Sequence, residues 1–185
     1  MEWNVLDRFI ANIRYRKIDK YIPRGGVICD VGCGRDAKFL KRHSSEIKMG
    51  YGLDFRISDS SLDNIKLLNN KEMKQFPIET DSCDAVFMIA VLEHLDNPLE
   101  MLSNIHNILV PGGQVVLTTP TPLAKPILEF MAFKLHIINE EEILEHKHYY
   151  CKEEIFDLLT EVGFLKCSYR KFCFGVNSII VAKKE

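Results

Sequence analysis

The stretch VICDVGCG, residues 27–34, decides the fold. Its apolar run Val27-Ile28-Cys29 ends in Asp30, and the chain then turns on Gly32 and Gly34. A second apolar stretch, Met49-Gly50-Tyr51-Gly52-Leu53, ends in Asp54, twenty residues beyond Gly34. This is the layout of a nucleoside-binding α/β unit. The glycine turn after the first strand lets backbone approach a ligand, and the carboxylate ending the second is placed for ribose hydroxyls.

Two cofactor classes fit that layout. Gly32-Cys33-Gly34-Arg35-Asp36-Ala37 satisfies the dinucleotide pattern G-x-G-x-x-G/A, with Asp54 at the matching offset. A diphosphate, however, needs backbone N–H groups and a helix N-terminus free of negative charge. Asp30 and Asp36 would repel it by roughly a kcal/mol or more at partly buried range. A ligand carrying an ammonium and a sulfonium would be attracted instead. S-adenosylmethionine is such a ligand, with adenosine at one end, a cationic amino acid at the other and no phosphate.

On these residues the chain resembles the class I S-adenosylmethionine-dependent methyltransferases, in particular their type 11 group. The resemblance runs in order through nearly the whole chain. VICDVGCG is similar to the family's first motif, and YGLD (Tyr51 to Asp54) to its ribose-binding strand end. FPIETDSCDAVFMIAVLEHLDNP (Phe76 to Pro98) resembles the segment running through the fourth strand to an E-H-L signature. LVPGGQVVLTTP (Leu109 to Pro120) resembles the turn and fifth strand, and HYYCKEEIFDLLTEVGF (His148 to Phe164) the last helix.

The resemblance implies a Rossmann-like, doubly wound, seven-stranded sheet, mostly parallel with one antiparallel strand. It implies S-adenosylmethionine as cofactor, with Asp30, Cys33 and Arg35 lining the methionine end and Gly32 and Gly34 permitting close approach. Asp54 would bind both ribose hydroxyls, Phe55 would lie beside adenine, and Ile89 and Ala90 would lead toward the methyl group. Two departures stand out. Asp36 occupies the usual third glycine, where it either caps the next helix or faces the cofactor ammonium. The family's adenine-reading Asp is missing before Phe76; Asn69, Asn70 and Glu72 are the substitutes, and Asn70 is taken as the contact.

Composition narrows the class further. A chain of 185 residues makes one domain, residues 1–185, with room for a real core. Its 24 basic and 26 acidic side chains leave a net charge of −2, which argues against a nucleic-acid groove. The basic stretch Arg14 to Lys20 reads as the solvated face of a helix. Six cysteines without a C-x-x-C pair fit reduced thiols and a cytoplasmic location. Neither a signal peptide nor a membrane span is expected.

Along the chain, residues 3–21 read as an N-terminal helix. Strands follow at Val27 to Val31, Met49 to Leu53, Ile65 to Asn69, Asp84 to Ala90 and Gln114 to Thr119. Asn97-Pro98-Leu99-Glu100 is a helix start, with its cap, first-position proline and Glu three residues on. Lys152 to Val162 is a helix closed by Gly163, and Leu165 to Phe174 with Val176 to Lys183 should pair antiparallel. Residues 120–148 break the alternation. That inserted segment, apolar from Leu123 to Ile138, reads either as a helix packed on the domain or as a lid over an apolar substrate.

Methyl transfer is an in-line displacement, so the protein mainly orients reactants and excludes water. A hydroxyl or amine acceptor calls for a base. His94, just past the fourth strand, and His148, before the last helix, are the candidate catalytic residues, with Glu93 placed to orient His94. No metal is expected, because Glu140 to Glu142, Glu145, His146 and His148 lack a familiar ligand spacing. The resemblance and these residues together point to methyl transfer to a small-molecule acceptor, at oxygen first with nitrogen and carbon as open alternatives, the acceptor being aromatic, lipid-like or glycan-linked. A non-catalytic S-adenosylmethionine-binding protein and a nicotinamide-dependent oxidoreductase are the alternatives.

Overall fold

The computed structural model describes residues 5–71 and 75–185. Eight strands form one sheet: β1 (Val27–Val31), β2 (Met49–Asp54), β3 (Ser60–Leu62), β4 (Ile65–Asn69), β5 (Cys83–Ile89), β6 (Leu109–Pro120), β7 (Leu165–Phe172) and β8 (Asn177–Lys183). Their order is β3-β4-β2-β1-β5-β6-β8-β7. The run from β4 to β6 is parallel, β8 is antiparallel to both its neighbours, and β3 adds a short antiparallel edge to β4. The seven expected strands and the single reversed one are therefore present, and β3 is the addition. Its three residues are all exposed, so no buried apolar pattern announces it.

Helices cover both faces. They are α1 (Val5–Ile18), α2 (Lys38–His43), α3 (Pro98–Ile108), α4 (Ala124–Phe133), α5 (Glu140–Leu144) and α6 (Lys152–Val162). Successive residues of a strand point to opposite faces, and β1 shows the consequence. Cys29 joins the cluster formed with Leu102 and Ile105 of α3 and Ile155 and Leu159 of α6. Its neighbour Ile28 joins the cluster with Ile18 of α1 and Phe39 and Leu40 of α2. With both faces buried, β5 reads as a continuous apolar run from Ala85 to Ile89 rather than an alternation.

Local signals hold at several helix ends. Asn97 accepts the Glu100 amide at 3.2 Å to open α3, and Gly163, at φ 102°, closes α6 in the left-handed conformation. Asp36 behaves differently from either expectation. α2 begins one residue later than a cap at Asp36 requires, after Ala37 in left-handed backbone, and the Asp36 carboxylate pairs with Lys38 on the surface at 3.4 Å. Arg14 also departs from the solvated face predicted for it. It is half-buried, whereas Arg16, Lys17 and Lys20 are exposed.

The insertion is two helices rather than one. Backbone at His136 turns through φ 52°, separating α4 from α5. α4 packs through Ala124 and Ala132, while Leu123, Ile127 and Phe130 remain 42–55% exposed. No helix among the described residues is long and apolar enough to cross a membrane. Residues 3 and 4 of the expected first helix, and Glu72, lie outside the described residues.

Candidate active site

Strand order reverses beside β1, which has β2 on one side and β5 on the other. In such sheets the crevice beyond the carboxyl ends of these strands is the ligand-binding edge. Asp30, Gly32 and Gly34 stand at the end of β1, Asp54 and Phe55 at the end of β2, and Ile89 and Ala90 at the end of β5.

The glycine turn is tied down from β2. The amides of Gly32 and Cys33 both donate to the Leu53 carbonyl, at 2.8 and 3.1 Å. The Gly34 amide donates to Asp54 Oδ2 at 2.9 Å. Three N–H groups that a diphosphate would need are thus already engaged. Gly32, at φ +77°, sits so close to Val91 that a Cβ would lie 2.4 Å from its Cγ2. Gly34, at φ +69°, faces open space. Both turns need glycine, Gly32 for the close approach and Gly34 for the conformation beside the opening.

Asp30 is 2% exposed, and no hydrogen bond or ion pair among the described residues engages its carboxylate. Burial, and then the neighbouring charge of Asp54, push its pKa well above the usual carboxylate range. A buried carboxyl of this kind gives up its proton readily only beside a compensating positive charge, which suits it to a cationic ligand. Asp54 is the opposite case. Burial alone would raise its pKa, but hydrogen bonds from Arg56 and the Gly34 amide outweigh burial and hold it low. This edge fits a cationic nucleoside such as S-adenosylmethionine.

The remaining expected contacts spread around this edge. Cys33 is half-buried with Sγ turned toward Gly52, while Arg35 is exposed on the rim. Phe55 is 57% exposed beneath the Arg56 guanidinium. Asn70 is buried, its Nδ2 donating to the Gln75 carbonyl at 3.1 Å. Asn69 instead braces the β2–β3 loop through the Phe55 and Ile57 carbonyls. Ala90 adopts φ 56° and donates its amide to Thr118 at 2.9 Å, turning the chain sharply off β5.

The two expected bases part company. His94 lies in the short helical turn Leu92–His94, with Nδ1 3.2 Å from the Glu145 carbonyl. His148 turns its Nε2 to Glu154 at 3.0 Å and meets the Tyr150 ring edge-on. Glu154 also accepts the Cys151 amide at 2.7 Å, so His148 is drawn into the start of α6. The ring packed against His94 is His146, at 4.8 Å between centroids. Burial first, then the charges of His94 and Arg14, lower the His146 pKa to about 4.

Glu93 sits beneath both rings, 1% exposed, accepting from Thr119 Oγ1 at 3.1 Å. Its backbone carbonyl accepts the Lys147 and His148 amides, at 2.8 and 3.3 Å, which brings the 146–148 segment to the end of β5. One potential ligand atom each from Glu93, His94 and His146 lies within 4.8 Å of the others. Sequence spacing could not show this trio, because His146 lies 52 residues beyond His94 along the chain. Arg56 was missed as well, although an Arg two residues past a strand-ending Asp is the pattern of an Asx turn.

A cavity of about 460 Å³ opens beside this trio, lined by Pro122, Lys125, Phe133, Ile143, His146 and Tyr149 among others. A second hollow, of about 350 Å³, lies at the other end of the strands near Asp84, Gly112 and Lys183. It is remote from the cofactor edge.

Residues 5–167 match the family described as a methyltransferase domain. The chain belongs to that family. It carries an S-adenosylmethionine-dependent methyltransferase domain. Among solved structures, a methyltransferase from Thermotoga maritima superposes with a TM-score of 0.72 at 16% identity, covering 96% of this chain and 90% of the other. One from Mesorhizobium loti gives 0.70 at 16%, covering 91% and 96%. These likenesses concern the fold.

Curated relatives differ in what they act on. A tRNA U34 carboxymethyltransferase of Desulfotalea psychrophila is 26% identical over 117 residues, 57% of this chain but 37% of that protein. A demethylmenaquinone methyltransferase of Staphylococcus aureus is 26% identical over 192 aligned residues, covering 90% of this chain and 79% of that protein. The chain thus spans little more than a third of the first relative's length.

Proposed function

We propose that this domain transfers the methyl group of S-adenosylmethionine to an oxygen of a small acceptor held under the 120–148 insertion. The observation that carries this reading is the cavity of about 460 Å³ between α4, α5 and the 146–149 segment. Its volume lies within the usual range for small-molecule sites, roughly 300–1,000 Å³. Phe133, Ile143 and Leu144 supply an apolar wall, while Lys125, Glu129 and the histidines supply polar groups. That mixture suits an aromatic or lipid-like body bearing an oxygen.

Asp30 is proposed to neutralise the cofactor's cationic end, Gly32 and Gly34 to admit it closely, and Asp54 to hold its ribose. Cys33 and Arg35 would flank the methionine portion, Phe55 and Asn70 the adenine, and Ile89 and Ala90 the approach to the methyl group. His94 and His146, rather than His94 and His148, would face the acceptor and orient it. S-adenosylmethionine supplies the methyl group and the sulfur leaving group; these residues orient the acceptor and exclude water.

The test is a methyl-donor assay with isotopically labelled S-adenosylmethionine, run against phenols, quinols and carboxylic acids in parallel with total tRNA. Label transferred to a small hydroxyl or carboxyl compound supports the proposal. The tRNA-modifying relatives set the rival outcome, since label recovered only in tRNA would overturn the small-acceptor reading.

A further inference from the structure

Three potential metal ligands converge beside the acceptor cavity, and their surroundings have the form of a built site. Glu93 and His94 come from the turn after β5, and His146 from the segment after α5. The backbone bonds from Lys147 and His148 to the Glu93 carbonyl lock the two stretches together.

Each group is oriented by a partner of its own. His94 Nδ1 faces the Glu145 carbonyl at 3.2 Å; a carbonyl only accepts, so Nδ1 carries the proton and the neutral ring keeps its lone pair on Nε2. His146 Nδ1 faces the Tyr149 hydroxyl at 2.8 Å, which likewise leaves Nε2 for a ligand when Nδ1 is the donor. Thr119 Oγ1 fixes one oxygen of the buried Glu93 carboxylate at 3.1 Å. Metal-binding histidines characteristically donate their other ring nitrogen to a carbonyl or comparable group in this way.

We propose that Glu93, His94 and His146 bind a divalent transition-metal ion of the zinc type, with an open coordination position toward the acceptor cavity. Two imidazoles and one carboxylate suit zinc, and three protein ligands with one open position is the form of catalytic zinc sites. Magnesium, which prefers oxygen in an octahedron, suits the trio poorly. The ligand atoms, now within 4.8 Å of one another, need to close to about 3.5 Å, the spacing that bonds of about 2.1 Å impose in a tetrahedron. Metal binding would have to draw the three side chains together by that amount. Among the described residues, the cationic side chain whose charge reaches both Glu93 and His146 is Arg14.

Where the domain methylates oxygen, the open position fits the acceptor's oxygen and would orient it toward the methyl group. That role rests on the function proposed above; metal binding itself does not. The proposal departs from the expectation, drawn from residue spacing, that no metal is bound.

Cobalt(II) serves as the probe. Purified full chain, stripped of metal by chelator and dialysed, is titrated with cobalt(II) while the visible spectrum is followed, and zinc is then added in competition. The proposal expects one ion per chain, ligand-field bands without thiolate charge transfer, displacement by zinc and no displacement by equimolar magnesium. His94→Gln and His146→Gln should weaken binding more than about tenfold, and Tyr149→Phe by a smaller factor. S-adenosylhomocysteine affinity, measured on each variant, should stay near the parent value and so certifies the fold. Failure to bind one ion, thiolate bands from the cysteines, or equal binding by the folded variants would overturn the proposal. Metal binding is read without any acceptor, so failure of the methylation assay alone leaves this result separately legible.

Discussion

Arg56 folds back onto Asp54. Its amide and Nε reach Oδ1 at 2.8 and 3.0 Å, and its Nη2 reaches Oδ2 at 3.1 Å. The Asp54 side chain is 1% exposed, whereas that of Arg56 is 49% exposed. The carboxylate proposed to hold the ribose is thus covered by a side chain that is itself half in water. For two ribose hydroxyls to reach Asp54, the guanidinium must move aside while the Arg56 and Gly34 amides stay in place.

Two substitutions separate these roles. Asp54→Ala should weaken S-adenosylhomocysteine binding more than about tenfold, since hydrogen bonds to a charged group contribute about 1.5–3 kcal/mol each. Arg56→Ala should instead tighten it by about threefold, because the ribose no longer displaces a charge-assisted partner. Calorimetric titration of both variants checks the pair. Parallel weakening by Arg56→Ala would mean that the guanidinium contacts the cofactor rather than covering its site.

Asp30 makes a prediction with the opposite sign for stability. Its folded-state pKa is raised, so the native protein holds this proton more tightly than the unfolded chain does. Stability is therefore lost as pH rises from the ordinary carboxylate value, about 4, through the folded value. Asp30→Asn removes that loss. The variant should melt with the parent near pH 4 and several degrees above it at pH 8, at about 2–4 °C per kcal/mol for a domain of this size. Its affinity for S-adenosylmethionine should fall more than about tenfold. A variant less stable than the parent at pH 8 would mean that Asp30 has a structural partner.

The paired strand ends were legible because their chemistry is local: an apolar run, an Asp and a glycine turn lie within VICDVGCG, and Asp54 follows at a fixed offset. The helix boundaries at Asn97 and Gly163 were legible for the same reason. β3 was not, since Ser60 to Leu62 are exposed and pair only through backbone. Neither was the break in the insertion. The apolar residues from Leu123 to Ile138 imply one packed helix, yet α4 is held by its small alanines and its large side chains face outward. The choice between His146 and His148 turned on Glu154, which engages His148 and the Cys151 amide together. No period in the sequence encodes that competition.

The two turn glycines should fail in different ways. An alanine methyl at Gly32 would meet Val91 Cγ2 at 2.4 Å in left-handed backbone, so Gly32→Ala should lower the melting temperature markedly. At Gly34 nothing lies within 4 Å, and only the backbone strain of about 1–2 kcal/mol applies. Gly34→Ala should therefore remain folded yet lose cofactor affinity, because the methyl projects into the opening. Thermal melts with and without S-adenosylhomocysteine distinguish the two, and a Gly34→Ala protein with parental affinity would place the cofactor elsewhere.

Phe133 and Phe130 test the insertion. Phe133 lines the cavity beside His146 and Tyr149 and is 37% exposed; Phe130, on the same helix, is 55% exposed and outside the lining. Neither anchors the core, so each change to alanine should alter stability by no more than about 0.5 kcal/mol, as at most surface sites. Phe133→Ala should raise the acceptor KM by about tenfold, the scale of losing roughly 1.4 kcal/mol of apolar contact with a bound ligand. The KM for S-adenosylmethionine should be unchanged, and Phe130→Ala should change neither constant. Steady-state kinetics on the acceptor found by the labelling assay decides the matter. Equal effects of the two substitutions would show that α4 contributes a general apolar surface rather than the wall of an acceptor pocket.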